Sequence, residues 1–183
     1  MRLLLIRHGN VQRRYRGLCY GQSDVPLSPI GRFQARRLAW ALSKEPVSGV
    51  YSSPLRRCLD TANRIAAGRG LNVRVRDAFA EINFGSFELQ PFRQLERRSP
   101  DIYRRWMSTP WAVAFPEGES YDEFRDRVMA EIGNIERHHR NQTVVLVTHG
   151  GVCQLLHALG GDETDLFTVL QRRGQISEIH YSF

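Results

Sequence analysis

The 183-residue chain is 42% hydrophobic and 25% charged, an ordinary globular balance that excludes a disordered or collagen-like polymer and suits a single domain over residues 1–183. Its apolar runs, such as residues 3–6 and 144–147, are only a few residues long and far short of a membrane span, and Arg7 and His8 interrupt the first before a signal-peptide core forms, so a cytoplasmic protein is expected. The net charge is +7 and Lys44 is the only lysine among the basic residues. Genomic base composition accounts for most of that arginine excess; the rest points to an anionic ligand, because guanidinium forks match phosphate oxygens in geometry as well as charge.

In chain order, residues 3–6 read as a fully buried strand. Ser28 and Pro29 read as an N-cap and first helical position, followed by an apolar face of Ile30, Phe33, Leu38 and Leu42. Val50 and Tyr51 mark a short strand, Ser53-Pro54 a second cap, and Leu55, Cys58, Leu59, Ala62 and Ile65 a second helical face. Residues 83–121 differ in composition and hold eight of the 18 aromatic residues: Phe84, Phe87, Phe92, Tyr103, Trp106, Trp111, Phe115 and Tyr121. This insertion reads either as a satellite core at the sheet edge or as a cap whose aromatics line a ligand pocket. Ser120 and Glu123 have capping-box spacing ahead of a helix with Phe124, Val128, Ile132 and Ile135 on its apolar face. Residues 143–148 form the next strand, leading through Gly150-Gly151 into a helical face of Val152, Leu155, Leu156 and Leu159. Residues 166–181, with Phe167, Val169, Ile176 and Ile179, suggest final strands that also suit a dimer edge. The expectation is an α/β three-layer sandwich: a mostly parallel central sheet, helices on both faces and a small aromatic-rich helical cap, as a monomer or homodimer. Cys19, Cys58 and Cys153 are too few and too widely spaced for a disulfide framework or zinc ribbon and read as reduced structural residues.

Two histidines stand in matching contexts. His8 follows the apolar run 3–6 and Arg7, and His149 follows residues 144–147 and Thr148; each precedes a glycine. Both therefore fall at the carboxyl ends of strands, where open α/β sheets bind ligands. A lone histidine after a strand is more often structural; the repeated pattern favours one shared crevice. Arg57 in a first helical turn has no support from the helix dipole, which favours a functional role over a solvated one. Among the carboxylates, Asp24, Asp77, Glu81 and Glu88 are close competitors for an acid. His138-His139 resembles a metal pair only superficially, because adjacent helical residues diverge, and a structural role is expected. No cluster has metal-ligand spacing.

Leu5-Ile6-Arg7-His8-Gly9 resembles the signature of the histidine phosphatase superfamily, the phosphoglycerate mutase-like proteins. The resemblance extends to Ser52-Ser53-Pro54-Leu55-Arg56-Arg57-Cys58 with Thr61-Ala62, to Glu81-Ile82-Asn83-Phe84-Gly85 and to Thr148-His149-Gly150-Gly151. It implies His8 as nucleophile, Arg7 and Arg57 as phosphate-binding arginines, Glu81 as proton donor and His149 as the second histidine, with Asn10, Gly21, Gln22 and Gly150 as further substrate contacts. No cofactor or metal is implied. The residue types suit phosphoryl transfer: Arg7, Arg57 and a protonated His149 would stabilise charge on the equatorial oxygens, neutral His8 would attack phosphorus, and Glu81, flanked by Phe79 and Phe84, would protonate the leaving alkoxide.

The segment from Tyr20 to Ser28 resembles the corresponding loop of α-ribazole phosphatases of cobalamin assembly. So do Phe84-Gly85-Ser86-Phe87-Glu88, Tyr103-Arg104-Arg105-Trp106 and Pro116-Glu117-Gly118-Glu119-Ser120. Phe87 stands where tryptophan is usual, Leu89 where glycine often follows the glutamate, and Asn10 replaces an acidic or hydroxyl residue. Trp106, Trp111 and Phe115 suit stacking on a flat base. The compact insertion disfavours a phosphoglycerate mutase; a fructose 2,6-bisphosphatase-like or broad-specificity phosphatase stays open. A reading from another class is an arginine-rich nucleic-acid-binding protein using Arg13, Arg14, Arg16, Arg104 and Arg105, with strongly salt-dependent affinity. The complete catalytic set argues against it, so the expected partner is a small phosphorylated substrate, with neither nucleic acid nor membrane.

Overall fold

The computed structural model describes residues 1–159 and 173–180. Five strands within them, β1 (Arg2–Arg7), β2 (Val47–Ser52), β3 (Val73–Val75), β4 (Thr143–Thr148) and β5 (Ile176–His180), form one sheet in the order β3-β2-β4-β1-β5. β5 is antiparallel to β1 and the other pairings are parallel. Successive strand side chains point to opposite faces, so the unbroken apolar runs of β1 and β4 serve two cores at once. Leu3, Leu5, Val144 and Leu146 face one core, while Leu4, Ile6, Val145 and Val147 face the other.

The second core is covered by α1 (Pro29–Ala41) and α2 (Arg56–Ala66), the first by α5 (Tyr121–His138) and α6 (Gly150–Leu159). The three-layer α/β sandwich expected from the alternation is the observed fold. Between β3 and α5 the insertion supplies two short helices, α3 (Phe92–Arg98) and α4 (Pro100–Ser108), and its aromatics join the core on the α5 and α6 side. Among the described residues no helix is long and apolar enough to cross a membrane.

Two local expectations are corrected. Ser28 does cap α1, accepting a 3.0 Å bond from Gly31 N, but Ile30 and Phe33 are 56% and 59% exposed and the buried face is Gly31, Ala35 and Leu38. The helix backbone lies against the Gly9-Asn10 turn, and a Cβ at Gly31 would sit 2.1 Å from the Asn10 carbonyl oxygen. Close approach of backbones thus rotates the bulkier residues outward. In α2 the cap is Leu55 rather than Ser53, and Asp24, distant in sequence, accepts a 2.8 Å bond from Arg56 N at the helix start. A charged group brought by tertiary structure satisfies the orphan donor and the positive end of the dipole. Strand β3 was not anticipated: it is three residues long, at an edge, with no full apolar alternation. Of the final segment, Ile176 and Ile179 lie on β5, while Phe167 and Val169 lie outside the described residues.

Candidate active site

β1 and β4 are parallel neighbours with Arg7 opposite Thr148, so the next residue of each, His8 and His149, reaches the same edge of the sheet. The two rings lie edge to face with centroids 5.3 Å apart, and both side chains are buried. His8 Nδ1 is 2.8 Å from the Gly9 carbonyl oxygen, which can only accept, so Nδ1 carries the proton and Nε2 holds the lone pair. Burial, then the nearby Arg57 and Arg7 cations, push the His8 pKa well below its ordinary value and keep the ring neutral.

Arg57 is fully buried. Its Nη2 donates to the Gly21 carbonyl (2.5 Å), Nη1 to the Ser23 carbonyl (2.8 Å) and Nε to His149 Nδ1 (3.2 Å). A guanidinium N–H only donates, so His149 Nδ1 must accept and Nε2 carries the proton, which goes to Ser53 Oγ at 2.6 Å. Burial first, and then the Arg57 charge, push the His149 pKa well down. The sequence expectation of a protonated His149 is therefore corrected: in this structure the imidazole is neutral because a buried arginine already occupies its acceptor nitrogen. Ser53, read from sequence as a helix cap, instead fixes the His149 tautomer.

The carboxylate competitors separate by position. Asp24 caps α2. Glu88 accepts from the backbone nitrogens of Gly21, Gln22, Ser23 and Phe84 and from Ser23 Oγ, clamping the loop whose carbonyls hold Arg57. Glu81 lines the cavity, its Oε2 accepting from Gly151 N at 3.0 Å and Oε1 from Ile82 N at 3.1 Å. A Cβ at Gly151 would fall 2.4 Å from Glu81 Oε1, so any larger residue would push the Glu81 carboxylate out of this position. Arg127 on α5 holds the segment that carries Glu81, donating to the carbonyls of Ala78, Ala80 and Glu81 and pairing with Glu119 at 2.6 Å. No motif marked Arg127, which acts on a chain segment far from it in sequence; its partner Glu119 lies in the Pro116-to-Ser120 stretch of the resemblance.

Arg7, His8, Arg57, Glu81 and Gly150 line a cavity of about 360 Å³ whose far wall is Phe84, Phe92, Trp106, Phe115 and Tyr121. Both readings of the aromatic insertion are thus met by one cluster, since Phe84, Trp106 and Phe115 pack edge to face or tilted on one another with centroids 4.9 to 5.4 Å apart and extend the main core. Trp111 is half exposed and not part of the wall, a correction to its expected stacking role. Asn10, Gly21 and Gln22 are not among the lining residues: Asn10 bonds Gln34 of α1 and the Ser28 cap through its backbone, Gly21 O holds Arg57, and exposed Gln22 reaches the Glu81 carbonyl at 3.3 Å. Tyr20, which opens the loop segment of the resemblance, and Arg173, which no motif marked, do line the cavity.

Groups outside the site have structural partners. His139 is buried against Tyr51 and Gln142, whereas exposed His138 bonds the Asn134 carbonyl, so the pair diverges as helical geometry requires. All three cysteines are free and buried, and burial raises their pKa values, that of Cys58 to about 12. Arg13, Arg14, Arg16, Arg104 and Arg105 are exposed.

The model of the Histidine phosphatase superfamily (branch 1) matches residues 3–182. The chain belongs to that family. It is 36% identical over 149 residues to phosphoserine phosphatase 1 of Hydrogenobacter thermophilus, covering 81% of this chain and 71% of that protein. It is 33% identical over 159 residues to the adenosylcobalamin/alpha-ribazole phosphatase of Salmonella typhimurium, covering 86% and 78%. Among solved structures, the alpha-ribazole phosphatase from Shigella flexneri superposes with a TM-score of 0.87 at 30% identity, covering all of this chain and 91% of that one. The chain is thus a phosphoric monoester hydrolase of the histidine phosphatase superfamily, and its cavity joins a cationic floor to an aromatic wall.

Proposed function

We propose that this histidine phosphatase hydrolyses α-ribazole 5′-phosphate through a phosphohistidine on His8. The observation that carries the mechanism is the His8 tautomer: Nδ1–H bonded to the Gly9 carbonyl leaves Nε2 as a nucleophile on the cavity lining beside Arg7 and Arg57. Nε2 attacks phosphorus as the ester P–O bond breaks, and the departing oxygen takes a proton from the Glu81 carboxyl to leave as the alcohol. The positive charge formed on the imidazole is spread toward the Gly9 carbonyl, while the two guanidiniums balance charge on the phosphoryl oxygens. Water then attacks phosphorus, gives a proton back to Glu81, and breaks the P–N bond to free phosphate and neutral His8.

Two observations support the substrate. The aromatic wall offers ring faces to a flat base, and the cavity volume falls in the range of sites that enclose a drug-sized ligand. The similarity to named α-ribazole phosphatases supports the same reading. Phosphoserine, the substrate class in the name of another relative, would leave that wall without a contact. Unpaired buried thiols go with a reducing, cytoplasmic setting.

The test is phosphate release, with chelator present, from α-ribazole 5′-phosphate, phosphoserine, 3-phosphoglycerate, fructose 2,6-bisphosphate and an aryl phosphate, beside His8→Ala. The expected result is preference for α-ribazole phosphate and loss of at least about 10³-fold in the variant. Comparable rates on several esters would replace the substrate with a broad one, and His8-independent release would overturn the mechanism. Oligonucleotide binding that weakens steeply with salt, without hydrolysis, would favour the nucleic-acid reading.

A further inference from the structure

Because β5 runs antiparallel to β1, its start lies at the edge where the parallel strands end. Gly174 N donates to the Arg7 carbonyl at 3.1 Å, and Gln34 on α1 bonds the Arg173 carbonyl at 3.2 Å, so the backbone carrying Arg173 is tied to the catalytic end of β1 from two sides. The Arg173 side chain lines the same cavity as His8. Its Nη2 donates to Tyr20 Oη at 2.5 Å, and the Tyr20 ring lies between two guanidiniums, 5.9 Å from that of Arg173 and 5.5 Å from that of Arg57. No carboxylate forms an ion pair with Arg173 among the described residues. Burial and then the Arg7 charge pull its pKa down, while Tyr20 acts in the opposite direction; an anion in the cavity would relieve both penalties.

The two neutral histidines leave the floor short of the third cation that phosphoryl transfer would use. We propose that Arg173, steered by Tyr20, is that third cation and binds the phosphoryl oxygens of the substrate. The assignment rests on the phosphatase reading for its catalytic consequence but not for its binding one, since a phosphoryl site must also hold inorganic phosphate and orthovanadate.

The experiment measures phosphate and orthovanadate binding by calorimetry, and their inhibition of hydrolysis, for the wild-type chain, Arg173→Gln, Arg173→Lys and Tyr20→Phe, with thermal melts as the folding control. Loss of one charge-assisted contact predicts roughly tenfold or weaker binding of both anions in Arg173→Gln, with partial recovery in Arg173→Lys. kcat/KM should fall by a similar factor on esters with neutral and with charged leaving groups. Tyr20→Phe keeps the ring, removes the hydrogen bond, and should weaken anion binding about two- to threefold, which tests the assignment even where Arg173→Gln melts early. Unchanged phosphate and vanadate affinity in folded Arg173 variants overturns it, as does a loss confined to esters with anionic leaving groups. Wild-type chain that binds both anions through Arg173 yet hydrolyses no ester would uphold the binding assignment and sink the phosphatase reading instead.

Discussion

The two ends of the cavity are built differently. On the floor, His8 follows the strand beside the one that leads to buried His149, Arg57 and Glu81 are fixed by bonds to main-chain atoms, and Glu88 clamps the loop behind them. The wall is closed by side chains: Phe84, Trp106 and Phe115 pack on one another through their rings. Main-chain bonds hold a reacting centre within tenths of an ångström, as in-line transfer demands. Ring packing tolerates substitution, so the wall can change what leaves without disturbing what attacks.

The largest effect that would separate the two ends is on the floor. Glu81→Gln keeps the shape and removes the transferable proton, so kcat on an alkyl phosphate is expected to drop about 10²- to 10⁴-fold. A nitrophenyl ester, whose leaving group needs no proton, should lose far less. Equal losses on both esters would show that Glu81 orients rather than donates.

Next is the acid response. His8 and His149 have folded-state pKa values well below the unfolded value near 6.5, so the unfolded chain binds more protons at mildly acidic pH. Their contribution to stability is complete above about pH 6.5 and is lost as pH falls through the depressed folded values. Urea midpoints should therefore drop between pH 7.5 and pH 5, with a shallower drop in His8→Gln. An unchanged slope in that variant would mean that His8 is not held neutral by its surroundings.

On the wall, Trp106→Leu keeps an apolar plug but removes a stacking face, predicting about a tenfold loss of kcat/KM on esters with an aromatic leaving group. Inhibition by inorganic phosphate should stay at the wild-type value; a parallel loss there would show that wall and floor are one unit. The smallest effect lies where the loops meet: Leu89 has φ +59°, is 47% exposed, and follows the Glu88 clamp. Leu89→Gly should relieve left-handed strain and raise unfolding stability by about 1 kcal/mol. A lower denaturation midpoint would show that the side chain contributes more than its backbone conformation costs.

Much of the floor was legible because its signals are local. Two apolar runs ending in histidine and glycine marked the two strands and put His8 and His149 at their carboxyl ends in one crevice; the structure adds that the strands are parallel neighbours. The capping box at Ser120 and Glu123 is present as its spacing predicts. Less legible were features that depend on which surfaces meet. Ile30 and Phe33 fit a helical period yet face outward, because Gly9 and Gly31 bring two backbones together. Ser53 looked like a cap, but the cap position moved to Leu55 once Asp24 supplied the start of α2.

By itself, then, the sequence determined the α/β class, the paired strand-end histidines and the set of residues able to transfer a phosphoryl group. These follow from residue periodicity and from chemistry that each side chain carries wherever it sits. Tertiary structure alone decided that His149 is neutral, that Glu88 clamps a loop rather than donating a proton, and that Arg173 enters the cavity from the turn ahead of an antiparallel strand. Protonation states, hydrogen-bond partners and pocket membership depend on atoms distant in sequence, and folding is what brings those atoms within reach.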